Sequence, residues 1–140
     1  MSRRLKIVLL GLGVVLVCGA VAFTWILVLV GRQVTAVQQC HTVMSDLARI
    51  LEKEPDGIPT PSEIEQMLRR LEPDGTLIVQ GERGLPVDVW HREFEVRVVG
   101  NEQDGTMKLE LMVRSAGPDG IMSSGDDIVV ERTLTLARSP

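Results

Sequence analysis

The stretch SAGPDGIMSSGDDI, residues 115–128, stands between two segments whose apolar residues alternate with polar ones. It carries three aspartates, Asp119, Asp126 and Asp127, together with three glycines, and it contains no lysine or arginine. Three carboxylates this close in sequence repel one another unless a cation or hydrogen-bond donors compensate them. We therefore predict that the stretch is a structured loop that joins two strands.

The segments around this loop predict half-buried antiparallel strands. Apolar and polar residues alternate in 94–98 and again in 107–113. After the loop, residues 128–136 keep one apolar parity, which only Arg132 interrupts. A period of two is typical of strands with one buried face. The glycine-flanked residues 100–105 predict the hairpin turn, and the whole predicts a small antiparallel sheet of three to four strands.

Two helices are predicted to precede these strands. From residue 34 to residue 51 apolar residues recur every three or four positions, which is typical of an amphipathic helix. The predicted apolar stripe consists of Val34, Val37, Cys40, Met44, Leu47 and Leu51. Thr60, Pro61 and Glu63 form the signature of a capping box with proline at the first helical position, so a short second helix begins there. Residues 76–80 are a further candidate strand. Helices followed by strands predict an α+β fold.

The N-terminal segment is predicted to be a transmembrane helix. Ile7–Val30 contains no charged residue, and as a helix it spans about 36 Å, slightly more than the roughly 30 Å hydrocarbon core of a bilayer. Arg3, Arg4 and Lys6 precede it, whereas Arg32 alone follows closely, so the positive-inside rule puts the N-terminus in the cytoplasm. The predicted organisation is a cytoplasmic N-terminus (1–6), a transmembrane helix (7–30), an amphipathic stalk helix (31–52) and an α+β domain (53–137).

Two processing events remain open for this segment. Ala20-Val21-Ala22 has the small-x-small form of a signal-peptidase site, and Cys18 follows a loose lipoprotein-like box. In both cases the apolar run continues well past the site, which favours an uncleaved anchor. Cys18 and Cys40 lie about 33 Å apart along a continuous helix and cannot bridge each other. An intermolecular disulfide through Cys40 stays open as an alternative.

Composition and motifs exclude two classes of function. The net charge is −4, and the basic residues form no stripe, so nucleic-acid binding is not predicted. His41 and His91 are the two histidines, and neither belongs to a nucleophile elbow, a zinc-protease motif or a phosphate-binding glycine loop. We therefore predict that the protein is not an enzyme.

Two interpretations of the 115–128 loop follow from its residues alone. Calcium accepts about 6–8 oxygens from carboxylates, carbonyls and water, and glycines permit the turns that direct carbonyls inward. Alternatively, the aspartates form local turns with backbone amides in a solvated loop. The loop lacks the spacing of an EF-hand, and no thiol or imidazole nearby suits zinc.

The order of these features resembles the major pseudopilin of bacterial type II secretion systems, a branch of the type IV pilin-like proteins. The resemblance covers roughly residues 34–132, and its most specific part is the segment 115–128. In that family a serine-x-glycine-x-aspartate-glycine segment followed by an aspartate pair binds calcium. The ligands that the resemblance implies are the side chains of Asp119, Asp126 and Asp127 and main-chain carbonyls near Ala116 and Ser123.

A second segment, PVDVWHREF at residues 86–94, is similar to the family's aspartate-proline-tryptophan-glycine-x-proline-aromatic stretch. Asp88, Trp90 and Phe94 align with it. The family's two prolines and its glycine are replaced by Val89, Glu93 and His91.

The resemblance implies a membrane-anchored structural component of a type II secretion-type or related envelope assembly. Its expected place is the bacterial inner membrane, as a single-pass protein with a periplasmic C-terminal domain. Expected partners are membrane lipid around residues 7–30, other pilin-like or secretion-system subunits, and a second copy through the stalk helix. Ala22 replaces the glycine before the processing site and Leu27 replaces the assembly glutamate, so we expect an uncleaved anchor. The alternative is a membrane-tethered adaptor or sensor domain, derived from a pseudopilin, that binds another envelope protein.

Overall fold

The computed structural model describes residues 3–53, 57–71, 78–103 and 106–137. They form two compact units, Met1–Gln33 and Val34–Pro140. The elements in chain order are α1 (Arg3–Lys53), α2 (Pro61–Arg70), β1 (Val79–Gln80), β2 (Pro86–Val87), β3 (Glu95–Gln103), β4 (Thr106–Ser115) and β5 (Ile128–Ala137). The predicted α+β architecture, with a long first helix, a short second helix and a small antiparallel sheet, is confirmed.

The first unit consists of the N-terminal part of α1. Its described apolar side chains, from Val14 to Val30, are exposed in the isolated chain. Within the described residues, one helix is long and apolar enough to cross a membrane, and it lies near the N-terminus. Membrane spans and signal sequences both have this length and composition.

The second unit has one hydrophobic core, and the C-terminal part of α1 supplies much of it. The buried apolar residues of this helix are Ala36, Cys40, Val43, Met44, Leu47, Ala48 and Leu51. The predicted stripe was wrong at its start, because Val34 and Val37 are 53% and 39% exposed. One helical turn before Cys40 the small Ala36 faces the core, so the two valines lie outside the packed face.

Helix α2 begins as predicted. The Thr60 hydroxyl accepts a hydrogen bond from the Glu63 amide at 3.4 Å, and the Glu63 carboxylate accepts one from the Thr60 amide at 2.7 Å. Pro61 is the first helical residue. With its backbone donors satisfied in this way, the short helix buries Ile64 and Leu68 against the core.

The main sheet has three antiparallel strands in the order β3-β4-β5. Its inner face is built by alternate residues of β4 and β5, in particular Met107, Leu109, Leu111, Val113, Leu134 and Leu136, all buried. The candidate strand at residues 76–80 does not join this sheet. Its last two residues are β1, which pairs with β2 in a separate two-stranded ribbon, while Thr76 and Leu77 lie outside the described residues.

The ladder between β3 and β4 extends into the segment that the sequence assigned to the hairpin turn. Strand β3 runs to Gln103, which pairs with Thr106 of β4, and residues 104–105 lie outside the described residues. Gly100, assigned from sequence to the turn, pairs with Leu109 inside the ladder. A Cβ at Gly100 would overlap the Ile58 side chain, so this glycine permits close packing rather than a turn.

Arg132 interrupts the apolar parity of β5 without disturbing the core. Its side chain is exposed and its guanidinium lies 3.8 Å from the Glu52 carboxylate of α1. A long side chain at the margin of the inner face reaches water in this way.

Candidate functional site

The buried carboxylate of Asp88 holds the start of the 115–128 loop, which we call the acidic loop. Asp88 is 2% exposed, and one carboxylate oxygen accepts hydrogen bonds from the amides of Trp90 and Arg92 at 2.9 and 3.0 Å. The other accepts a 2.6 Å hydrogen bond from the hydroxyl of Ser115, the last residue of β4. That hydroxyl accepts in turn from the Gly117 amide at 3.4 Å. One carboxylate therefore joins the turn after β2 to the start of the loop.

The turn around Asp88 closes on itself. The Asp88 amide donates to the Arg92 carbonyl at 2.8 Å and the His91 amide donates to the Asp88 carbonyl at 2.9 Å. His91 has a φ of 62°, in the left-handed region that glycine favours. Phe94 follows in the core cluster, whereas Trp90 is half-buried.

Cys40 lies near Asp88, and its thiol is expected to be unreactive. Burial, followed by the nearby charge of Asp88, raises the pKa of its thiol to about 12. The thiol is fully buried, so it is protonated and inaccessible at neutral pH. The intermolecular disulfide considered for Cys40 is therefore incompatible with the folded second unit.

Arg92 anchors the first half of the acidic loop. Its guanidinium donates to the Gly117 carbonyl at 3.0 Å and lies directly against Gly120, where any Cβ would overlap it. Gly117 and Gly120 have φ values of 63° and 72°. A Cβ at Gly117 would also overlap the Asp126 carbonyl, so the two halves of the loop touch at this glycine.

Asp119 and Asp126 are close neighbours across the loop. Asp126 accepts from the Asp119 amide at 3.2 Å and from the Ser124 hydroxyl, and Asp119 accepts from the Ile121 amide at 2.8 Å. The Ser124 hydroxyl, followed by the backbone amides of Asp119 and Asp126, lowers the pKa of Asp126 below its usual range. A depressed pKa means that Asp126 stabilises the fold above its unfolded-state pKa. That contribution is lost as the pH falls through the folded-state value.

Asp127 is held by groups from both sides. It accepts from the Ser123 amide at 2.7 Å and from the Ser124 hydroxyl at 3.3 Å, which Asp126 shares. Nε of Arg114 lies 3.6 Å from the same carboxylate, and another guanidinium nitrogen donates to the Ser123 hydroxyl at 2.9 Å.

The structure brings the three predicted carboxylates into one loop without directing them at a common point. Among the described residues, no group of three or more His, Cys, Asp or Glu side chains is arranged to hold a metal. The two residues expected to offer main-chain carbonyls are Ser123 and Ala116. Ser123 has a φ of 68° and its amide donates to the Asp127 carboxylate, and Ala116 is buried directly after β4. The aspartates form the local amide turns that were the alternative prediction.

Sequence reasoning missed the three residues that hold this loop: Asp88, Arg92 and Arg114. Asp88 and Arg92 lie more than twenty residues before the loop, and their proximity depends on the tertiary fold. Arg114 immediately precedes the loop and lies in the strand between the buried Val113 and Ser115. Its position next to the acidic stretch is the one feature of the sequence that could have indicated its role. Comparison with protein families, with curated proteins and with solved structures finds no match for this chain.

Proposed function

We propose that this chain is a membrane-anchored, pilin-like structural component of a bacterial envelope assembly of the type II secretion kind, and that calcium stabilises its acidic loop. The observation that supports the proposal most is the position of this loop. It connects the last two strands of a three-stranded antiparallel sheet, in a domain whose core begins in the same helix as the apolar N-terminal segment.

The donor chemistry of the loop fits a hard divalent cation. Hydrogen bonds connect the three aspartates. The Asp126 carboxylate accepts from the Asp119 amide, and the Ser124 hydroxyl donates to both Asp126 and Asp127. Oxygen donors of this kind suit calcium rather than zinc. When bound, calcium would supply the charge that lets these carboxylates converge, and Asp119, Asp126 and Asp127 would hold it. Because an unfolded chain lacks the assembled site, binding would stabilise the fold.

Calorimetry on the full-length chain in detergent tests the metal. We expect calcium to bind wild type and expect Asp119→Ala and Asp126→Ala to abolish the binding heat. Asp46→Ala is the matched control, since Asp46 pairs with Arg49 on the surface of α1. Wild-type heat no larger than that of the two loop variants would remove calcium from the proposal.

Anchoring is tested by the intact mass of the chain extracted from membranes. An uncleaved anchor predicts the full-length mass and resistance to alkaline extraction. Loss of the first 22 residues would instead indicate processing of the pilin kind, and recovery in the soluble fraction would contradict the anchor.

A tethered adaptor or sensor is the second candidate, and Leu27 favours it. Leu27 stands where filament assembly uses a glutamate in the related family, so this chain lacks that contact. Cross-linking in membranes separates the candidates: a ladder of self-linked species favours an assembly subunit, whereas a single hetero-adduct favours an adaptor.

A further inference from the structure

The acidic loop already contacts a cation that belongs to the chain itself. Arg114 lies at the end of β4, and its guanidinium approaches Asp127 to 3.6 Å and donates to the Ser123 hydroxyl at 2.9 Å. The side chains of Arg114 and Asp127 are 19% and 6% exposed. This partly buried pair therefore lies at the second half of the loop, together with three of the expected calcium ligands, Ser123, Asp126 and Asp127.

The pair between Arg114 and Asp127 is incomplete. Nε of Arg114 is buried and has no hydrogen-bond partner among the residues that the structure describes, and 3.6 Å is too long for a hydrogen bond. The same guanidinium is shared with the Glu95 carboxylate at 3.5 Å. The attraction to Asp127 is therefore Coulombic, and Glu95 remains as a partner for Arg114 when Asp127 turns to another cation.

We propose that Arg114 is an internal counter-ion that competes with calcium for Asp127. It holds the second half of the loop in the metal-free chain and weakens calcium binding. The inference rests on the proposed calcium function. A fixed positive charge beside a cation site repels the metal, and the pair with Asp127 has to open before that carboxylate can bind it.

The test is Arg114→Gln in the full-length chain in detergent. In a Trp25→Phe background Trp90 is the remaining tryptophan, and the chain has no tyrosine, so fluorescence reports unfolding of the second unit. In EGTA we expect Arg114→Gln to lower the Tm by about 4–8 °C, because Asp127 loses its cation. With calcium chloride we expect its Kd to fall by about tenfold, because the competing charge is gone.

Arg97→Gln is the matched control. Arg97 lies on the neighbouring strand β3. Within the described part of the chain its guanidinium pairs with Glu95, and its side chain is 65% exposed. Exposed pairs contribute little, so both Tm and Kd are expected to stay near wild type. Arg114→Lys keeps the charge, and we expect it to keep the weaker calcium binding of wild type even where the glutamine variant folds poorly.

Each outcome decides a separate part of the inference. An unchanged Tm in EGTA overturns the role of Arg114 in holding the metal-free loop. A calcium Kd that is equal to or weaker than wild type in Arg114→Gln overturns the competition alone. Absence of calcium heat in wild type and in Arg114→Gln overturns the competition together with the proposed calcium function.

Discussion

Removing the Asp88 carboxylate is expected to be the most damaging single change around the acidic loop. Asp88→Ala leaves three donors without an acceptor: the amides of Trp90 and Arg92 and the hydroxyl of Ser115. An unsatisfied buried donor costs about 1–3 kcal/mol, and the two amides are partly accessible to water, so we expect a loss of about 3–4 kcal/mol in the free energy of unfolding.

Two further variants separate the contributions of Asp88. Asp88→Asn keeps one carbonyl oxygen for the two amides, and the Ser115 hydroxyl can rotate to accept, so the expected loss is about 1–2 kcal/mol. Ser115→Ala leaves a carboxylate oxygen unpaired and is expected to cost about 1.5–3 kcal/mol. The double variant Asp88→Ala/Ser115→Ala should lose less than the sum, since both single changes remove one shared hydrogen bond.

Urea unfolding of the full-length chain in detergent, followed by Trp90 fluorescence in the Trp25→Phe background, measures these losses as shifts of the midpoint. The reasoning is refuted if Asp88→Ala lies within about 1 kcal/mol of wild type, the scale of an ordinary surface change. It is also refuted if Asp88→Asn is as damaging as Asp88→Ala, because the two amides would then not depend on the retained oxygen.

Four other substitutions, of which Gly125→Ala is a control, test local geometry by the same unfolding assay. Gly117→Ala should lower the free energy of unfolding by about 2–4 kcal/mol, because Gly117 has a positive φ and an added Cβ would overlap the Asp126 carbonyl. Gly125→Ala, whose Cβ would meet open space, should lower it by under about 1 kcal/mol. Equal losses would contradict the close approach of Gly117 to Asp126. His91→Gly should raise stability by up to about 1 kcal/mol, because glycine adopts the observed φ without strain, and a loss would show that the imidazole packs usefully. Thr60→Ala should cost about 1 kcal/mol by removing the cap of α2, and no change would mean that the cap bonds contribute nothing net.

Local patterns predicted the elements of the fold well. Alternation in residues 107–113 predicted both the strand and its buried face, and the capping box placed the start of α2 at Pro61. Errors arose where tertiary packing selects between local options. Gly100 was assigned to a turn although it permits Ile58 to pack against the sheet, and Val37 was assigned to the core although the helix faces it outwards.

The sequence predicted the residues of the candidate site that lie within 115–128, but not the residues outside this segment that hold it. The absence of a basic residue within 115–128 left two interpretations of Asp119, Asp126 and Asp127, a calcium site or local turns with backbone amides. The structure compensates these carboxylates largely through amides, serine hydroxyls and Arg114, which lies outside the stretch. Contacts between residues distant in sequence, such as Arg92 with Gly117, follow from the packing of separate elements and are not encoded by local spacing.

The most direct measurement is a crystal structure of the chain grown in millimolar calcium chloride, with anomalous scattering used to locate the ion. The account predicts a calcium ion held by the carboxylates of Asp119, Asp126 and Asp127, with the Arg114 guanidinium withdrawn towards Glu95. Arg114 still paired with Asp127, and no anomalous peak in the loop, would contradict it.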